Sequence, residues 1–582
     1  MGVLRLFRHL LSNYKDFYYI LSRPYAIDML FIDLNAIFHP ASREIYFPPP
    51  SKDLLRRSTT TEQKSPETLE QLAFENITKY IEAIIQINPP KRVLYLAIDG
   101  VAGMCKQSQQ RKRRYKAAKE RTEQLSHADP AYLANHSEPF NMANITAGTP
   151  WMSRLCTYLA NWIVQRKQTP VNNVNLANVQ VIYNDMYVAG EGEHKLIRYL
   201  GQILPKKPRT TYSVYSPDAD LIMLCLCLPQ GRGYILRENI YDDIQGKWIF
   251  VDCNKLKQLV CTDLTNYEIN ATQYTTSSAS ITLDNQFQQR IVSDYVLFLM
   301  LIGNDFLPSL YCLEIGNQGI ETLKGCYSQV RAQNTYLLNE VHLIQQSSFV
   351  LLFQHLAYHE PDLILMKYRK CFKYPDSLLA AYVAEKTVKR ETKHDGCTDV
   401  AKVNVESLDF MGLRTEYYTR KFKDEFVWNE QTFHANVQTI VMHFIRGLHF
   451  VMTYYVVSIP TFEWCYEHHY APLMYDIHEV ASRLTPAQWN QLQEFEFKPA
   501  LSLNQALLGI IPPSSRNVCT ETVAEILEKK ESHELFTEQF EVDLEGKQQE
   551  YEAVCLLPNV PYGKLKQFCR EKQGPFVEPS VF

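Results

Sequence analysis

The first half of this sequence predicts a doubly wound α/β domain built on a mostly parallel sheet flanked by helices. Two observations carry that prediction: four apolar, β-branched segments end at or just before carboxylates, and helical patterns fill the gaps between them. The segments are DMLFIDLN at 28–35, RVLYLAIDG at 92–100, VQVIYND at 179–185 and TYSVYSPDAD at 211–220. Their apolar runs are nearly continuous rather than alternating, as expected of strands covered on both faces. Between them, LEQLAFENITKYIEAIIQ (69–86), WMSRLCTYLANWIVQ (151–165) and EHKLIRYLGQIL (193–204) repeat apolar residues at helical spacing. Strand alternating with helix places helices on both faces of one sheet.

At 582 residues and 46% hydrophobic, the chain can bury a large core, and its length suits roughly three or four domain-sized units. The formal net charge is only −4, so any attraction for nucleic acid must come from a local patch. Fourteen cysteines lack regular spacing, and the closest pair, Cys225 and Cys227, lies inside the apolar run LIMLCLCL. That argues for buried thiols and against a zinc site or disulfide framework. No cleavable signal peptide is visible, and runs such as YVLFLMLIG (295–303) fall far short of the roughly 20 residues of a membrane span, which predicts a soluble intracellular protein. MGVLRL resembles a myristoylation signal, but Leu6 stands where Ser or Thr is required. Loops are predicted at 42–68, 121–142 and 263–286, and the charged stretch 386–402 is read as a linker between a first region, 1–385, and a second, 403–582. The second region is mixed, and its segment 547–570 is suited to strands.

In an open parallel sheet, side chains at the carboxyl ends of the strands meet in one crevice, which is where ligands bind. Asp33, Asp99, Asp218 and Asp220 are thereby predicted to converge. One Asp at one strand end is most simply a helix cap or turn residue. Three strands ending this way together are harder to explain so. GEGEHKLI adds Glu191 and Glu193 at the start of a helix, where capping is again the simplest role. RIVSDYVLFLMLIGNDFLPSL (290–310) reads as a helix ending at Gly303, followed by a turn that carries Asn304 and Asp305 and closes at Pro308. Seven carboxylates in one crevice need a cation to remain ionised. Oxygen-only donors suit Mg²⁺, with Mn²⁺ able to substitute, and two such ions about 3.5 to 4 Å apart serve in-line attack of water on a phosphodiester.

The second strand runs straight into a cationic segment, CKQSQQRKRRYKAAKE. On a helix, Lys106, Gln110, Arg113 and Arg114 fall at i, i+4, i+7 and i+8 and share one face, one short loop after Asp99. Such a row of ammonium, amide and guanidinium donors is a receptor for a terminal phosphate. Arg111, Lys112, Lys116 and Lys119 point elsewhere, toward solvent or backbone phosphates. Without the neighbouring crevice, a solvated basic helix would suffice.

Taken in order, MGVLRLFRHL, FIDLNAIFH, AIDGVAGMCKQSQQRKRRYKAAKE, ITAGTPWM, GEGEHKLI, DADLIMLCL, ILRE and LIGNDFLPSL resemble the first region of the XRN-type 5′→3′ exoribonucleases. The segments 447–477, 507–515 (LLGIIPPSS) and 540–560 resemble the second. The resemblance implies a nuclease core of the PIN and flap-nuclease kind in 1–385, with a tower helix projecting at about 106–124. It implies a second region that completes the substrate channel. Asp33, Asp99, Glu191, Glu193, Asp218, Asp220 and Asp305 would hold the metal ions, and Lys106, Gln110, Arg113 and Arg114 would bind a 5′ monophosphate. His39 would stack on the first base and Trp464 would close the far end of the base stack; otherwise they read as a loop histidine and a half-buried anchor. Three positions depart from the family pattern: Ala36 for glycine, Gly103 for proline and Phe462 for tryptophan, none of them a ligand or phosphate donor.

The reading is a processive 5′→3′ exoribonuclease acting on 5′-monophosphorylated single-stranded RNA. It carries with it a monomeric, cytoplasmic protein with no membrane partner, open to an accessory protein, and without the long C-terminal extension of larger members. A flap-type DNA nuclease would share the crevice but lack the region containing Trp464. A non-catalytic RNA-binding protein is marked by lost ligands, whereas all seven carboxylates are present.

Overall fold

Among the described residues, eight strands form one sheet in the order β1 (Tyr18–Leu21), β7 (Trp248–Asp252), β6 (Arg232–Glu238), β5 (Thr211–Tyr215), β2 (Ile27–Asp33), β3 (Pro90–Ala97), β4 (Gln180–Asn184) and β10 (Ser580–Val581). The five central strands, β6 to β4, run parallel, and β1, β7 and β10 pair antiparallel at the two edges. The computed structural model describes residues 5–47, 65–126, 140–229, 231–240, 244, 246–271, 285–370, 376, 378–379, 409–529, 534–547, 552–570 and 578–582. The linker 386–402, Gly2 and most of the predicted loops therefore lie outside the described residues.

All four strands read from the sequence are present, and the sheet is mostly parallel as predicted. The alternation of their side chains explains the continuous apolar runs. Met29, Phe31, Val93, Tyr95, Tyr212 and Val214 belong to one core, while Leu30, Ile32, Leu94, Leu96, Val181 and Tyr183 belong to the other. The second core is closed by α2 (Asn35–Tyr46), α3 (Pro66–Ile87) and α5 (Pro150–Gln168). The first is closed by α1 (Leu6–Asn13), α6 (Gly192–Ile203), α7 (Asp220–Cys227) and α8 (Asn285–Leu301). Ser65 and Thr149 cap α3 and α5, each followed by a proline at the first helical position, which sets where those helices start.

α4 (Met104–Ser126) emerges from the sheet edge just beyond β3. Its first half is gripped by the second region: Met104 N–H donates to Phe462 O at 2.9 Å, and Arg111 donates to Gly509 O at 3.1 Å. Its end, including Lys119, Glu120, Thr122 and Glu123, is exposed. The helix continues through the first residues of the loop predicted at 121–142.

Beyond the sheet the chain is mainly helical, with α9 (Gln346–Lys370) still in the first region and α10 (Phe433–Val456), α11 (Met474–Arg483) and α12 (Leu503–Ile510) in the second. Within the predicted 547–570 segment, β9 (Val554–Leu556) pairs with β8 (Glu541–Asp543). Sequence reading missed β1, β6, β7 and β10. RGYILRE begins and ends on charges and WIFVD is short, so neither presents the long apolar run of a central strand.

Candidate active site

Asp33 closes β2, and Asp99 lies two residues beyond β3; the paired register of Asp33 with Ala97 brings both out at the same edge of the sheet. Asn35 ties them together. Its amide donates to Asp99 Oδ2 at 3.1 Å, its Oδ1 accepts from Asp99 N–H at 2.9 Å, and its own N–H reaches Asp33 Oδ1 at 3.2 Å. The start of α6 presses against the pair. Gly192 N–H donates to Asp99 Oδ1 at 2.6 Å, and a Cβ at this position would stand 3.2 Å from Asp33 Oδ1 and 3.3 Å from Asp99 Oδ1. The middle glycine of GEGEH is thus the residue that allows this close approach.

Glu191 is the residue before the first turn of α6, yet its side chain caps nothing. Its carboxylate instead accepts from Tyr454 Oη at 2.7 Å and meets Lys106 Nζ at 2.7 Å. Glu193 lies in the same first turn, buried. Asp218 and Asp220 follow β5, with Ser216 Oγ linking Asp33 Oδ2 (3.3 Å) to Asp218 N–H (3.2 Å). After α8, Gly303 takes a left-handed φ of 113° and Asn304 Oδ1 accepts from Phe306 and Leu307 N–H, as the predicted turn requires. That turn delivers Asp305, whose Oδ2 meets Lys106 Nζ at 2.7 Å. The simpler role of these residues as caps therefore fails for Glu191.

Crowding of acids in a buried place has the expected electrostatic cost. Burial first, then Asp99 and Asp218, push Asp33 up to about 8. Burial followed by Glu191 raises Asp99, and burial followed by Asp218 raises Glu193 well above the usual carboxylate range. Asp220, 1% exposed, is likewise raised by burial and by Asp305 and Asp218, and its Oδ1 has no hydrogen-bond partner. Although burial works against it, Lys106 holds Asp305 well below that range. Lys106 is itself kept cationic, against its burial, by Glu191 and Asp305. An orphaned buried oxygen among mutually repelling oxygen donors fits a hard divalent cation in the chemistry of the set. In this arrangement no group of three or more His, Cys, Asp or Glu side chains among the described residues is already set to hold a metal ion. Lys106 supplies the positive charge between Glu191 and Asp305.

A cavity of about 1180 Å³ joins the two predicted halves of the site. Asp33, Asp99, Glu191, Glu193 and Asp218 line it together with His39, Lys106, Gln110, Arg113 and Arg114. The basic face of α4 is thus where the heptad-like spacing put it. Arg114 donates from Nε (3.0 Å) and Nη2 (2.9 Å) to Thr146 Oγ1, and burial with Arg113 beside it lowers its guanidinium to about 10, still cationic at neutral pH. His39 faces the same space, where desolvation and then Arg114 and Arg113 push its imidazole down to about 4. Asp220 and Asp305 do not line the cavity; Asp220 is buried, and the Asp305 side chain is 5% exposed, against Lys106.

The expectations for Arg111 and Lys112 need correcting. Arg111 is not a solvating residue: it is 4% exposed, and its guanidinium lies 4.2 Å from the centre of the Tyr115 ring. Lys112 is partly buried rather than free in solvent. Trp464 does not line the cavity; its half-buried ring stacks on Phe450 at 4.5 Å. Sequence reading also missed four residues. Arg5 and Arg8 bring further positive charge to the cavity wall from α1, Thr146 bonds Arg114, and Tyr454 bonds Glu191. Each sits inside a segment quoted for the family resemblance, but nothing in spacing alone marked it.

The geometry agrees with the comparisons. A model of the XRN 5′-3′ exonuclease N-terminus matches residues 1–239, and a model of the Xrn1 helical domain matches 286–378 and 373–574. The human 5′-3′ exoribonuclease 1 is 25% identical over 609 residues, covering 97% of this chain and 34% of the human protein. The 5′-3′ exoribonuclease 2 homolog of Drosophila melanogaster is 25% identical, covering 92% of this chain and 65% of that protein. The 5′-3′ exoribonuclease 1 of Saccharomyces cerevisiae is 22% identical, covering 97% and 43%. The chain therefore spans between 34% and 65% of these three relatives. With the two family models together matching most of the chain, and with acids and cations gathered round one cavity, this protein belongs to the XRN family of 5′-3′ exoribonucleases.

Proposed function

We propose that the protein degrades 5′-monophosphorylated single-stranded RNA processively from its 5′ end, releasing nucleoside 5′-monophosphates. The observation that supports this most is the shared cavity, lined both by carboxylates and by the Lys106, Gln110, Arg113 and Arg114 face of α4. Asp33, Asp99, Glu191, Glu193, Asp218, Asp220 and Asp305 would hold two Mg²⁺ ions, or Mn²⁺ in their place. Bound there, such ions activate water and stabilise the leaving 3′ oxygen.

The chain's own residues do the rest. The α4 donors grip the terminal phosphate, with Arg113 and Arg114 offering guanidinium forks. His39, held neutral, offers a ring face to the first base, and Trp464 closes the stack at its other end, each stack being worth about 1 to 3 kcal/mol whatever the base. Each cut leaves a new 5′ phosphate for the same receptor, which makes processive action natural. A cap or triphosphate adds bulk and charge beyond what four donors accommodate. Among the described residues no helix is long and apolar enough to cross a membrane.

The test is digestion of one RNA carrying a 5′ monophosphate, triphosphate, hydroxyl or cap, with and without Mg²⁺. The monophosphate RNA with Mg²⁺ should vanish into mononucleotides while the other forms persist. Undiminished digestion by the double variant Asp218→Ala, Asp220→Ala would remove the reading. Release of short oligonucleotides from a DNA flap would favour the flap-type alternative.

A further inference from the structure

We propose that Tyr454 is a positioning residue of the active site, contributed by the second region, which fixes Glu191 through a hydrogen bond from its phenol. This rests on the reading of Glu191 as a metal-holding carboxylate. Tyr454 lies near the end of α10, and its hydroxyl donates to Glu191 Oε1 at 2.7 Å; the two residues are 4% and 2% exposed. The other oxygen, Oε2, meets Lys106 at 2.7 Å. The two contacts differ in kind. An ammonium neutralises the carboxylate, whereas a phenol orients it and leaves its charge available to a cation. When Lys106 turns toward a phosphate, Tyr454 remains the partner that holds Glu191.

The ring is fixed as firmly as the hydroxyl. His194, three residues after Glu191, stacks on Tyr454 with centroids 3.8 Å apart and planes 5° from parallel. Phe306, next to Asp305, meets it edge-on at 5.5 Å. Tyr455 touches the same two rings at 5.5 and 6.2 Å. The aromatic cage thus braces both segments that deliver Glu191 and Asp305, and all four of its members are adjacent to site residues or to each other.

The test uses the full-length chain with Tyr454→Phe, which keeps the ring and removes only the donor. Mg²⁺ is titrated twice: by the rise in melting temperature without RNA, and by turnover of 5′-monophosphate RNA. The variant should need about 10- to 100-fold more Mg²⁺ for half its effect in both. Its metal-free melting temperature should fall only by the small amount that one lost buried hydrogen bond costs, its KM for RNA should match the parent's, and kcat should recover at high Mg²⁺. In a Glu191→Gln background, Tyr454→Phe should add nothing. A variant that follows the parent's Mg²⁺ titration overturns the inference and leaves the proposed reaction standing. A parent without any Mg²⁺ response overturns both.

Discussion

Asp220 is held where an aspartate is least at ease: buried, close to Asp305 and Asp218, with one oxygen lacking a hydrogen-bond partner. On the proposed reading, a site like this trades stability for readiness to take a cation. Asp220→Asn keeps the shape and removes the charge, so in EDTA it should stabilise the fold, raising the melting temperature by about 1 °C for each kcal/mol gained in a chain of this size, while RNA cleavage is lost. A lower melting temperature would mean that Asp220 is held by partners rather than strained by neighbours. Arg114 makes the complementary case. Its Nε and Nη2 already rest on Thr146 Oγ1, so the guanidinium is aimed before any substrate arrives. Removing a charged hydrogen-bond donor costs about 1.5 to 3 kcal/mol, so Arg114→Ala should lower the preference for 5′-phosphate over 5′-hydroxyl RNA by roughly 10- to 100-fold. Thr146→Val should move the same ratio in the same direction by less, and Thr146→Ser should restore it. Equal rates on both RNAs for parent and Arg114→Ala alike would remove Arg114 from the phosphate receptor.

Helices α9 and α11 show how the two regions are locked together. Glu360, in the middle of α9 and fully buried, accepts from Met474 and Tyr475 N–H at 2.8 Å each and so ties off the start of α11. Burial pushes its carboxyl up to about 8. A raised carboxyl binds its proton in the folded chain at pH values where the unfolded chain has released it. The stability it contributes is therefore complete below about pH 4.5 and is lost as pH rises toward 8. Glu360→Gln cannot titrate, so its melting temperature should fall less between pH 5 and 8 than the parent's; parallel curves would show that Glu360 stays ionised. Sequence could not have found this residue, because its burial depends on a helix more than a hundred positions away. Legibility elsewhere followed the same rule. The central strands and GNDF turn were readable because hydrophobic continuity and a glycine–proline frame are local signals. The converging acids were readable because strand ends share a crevice in any parallel sheet. The edge strands, the burial of Arg111 and the Tyr454 contact were not, since each is decided by a partner from another region. Trp464 was assigned by resemblance, and its place on Phe450 follows from packing that no local pattern encodes.

Two family models divide the chain, and domains joined in one polypeptide usually move and unfold separately unless a large apolar interface joins them. Here the interface is the core itself. One continuous set of buried residues runs from Leu6 of α1 through the sheet to Phe444 and Phe450 of α10, Met474 of α11 and Leu492. A second set joins Val101 and Met104, at the root of α4, to Leu507, Ile511 and Leu565. Arg111 adds a buried link from α4 to Gly509 O that water cannot easily replace. The candidate active site is divided in the same way, with its carboxylates on the first region and the Tyr454 hydroxyl from the second. Calorimetry should accordingly show one cooperative transition for the described core, with its midpoint raised as a unit by Mg²⁺. Residues 1–385 produced alone would leave that shared core open along the face α10 covers, and should bind the dye that reports exposed apolar surface instead of melting sharply. Two resolved transitions, only one of them responding to Mg²⁺, would show that the regions are stable apart. The second region would then act as a cover for the site rather than as a part of its foundation.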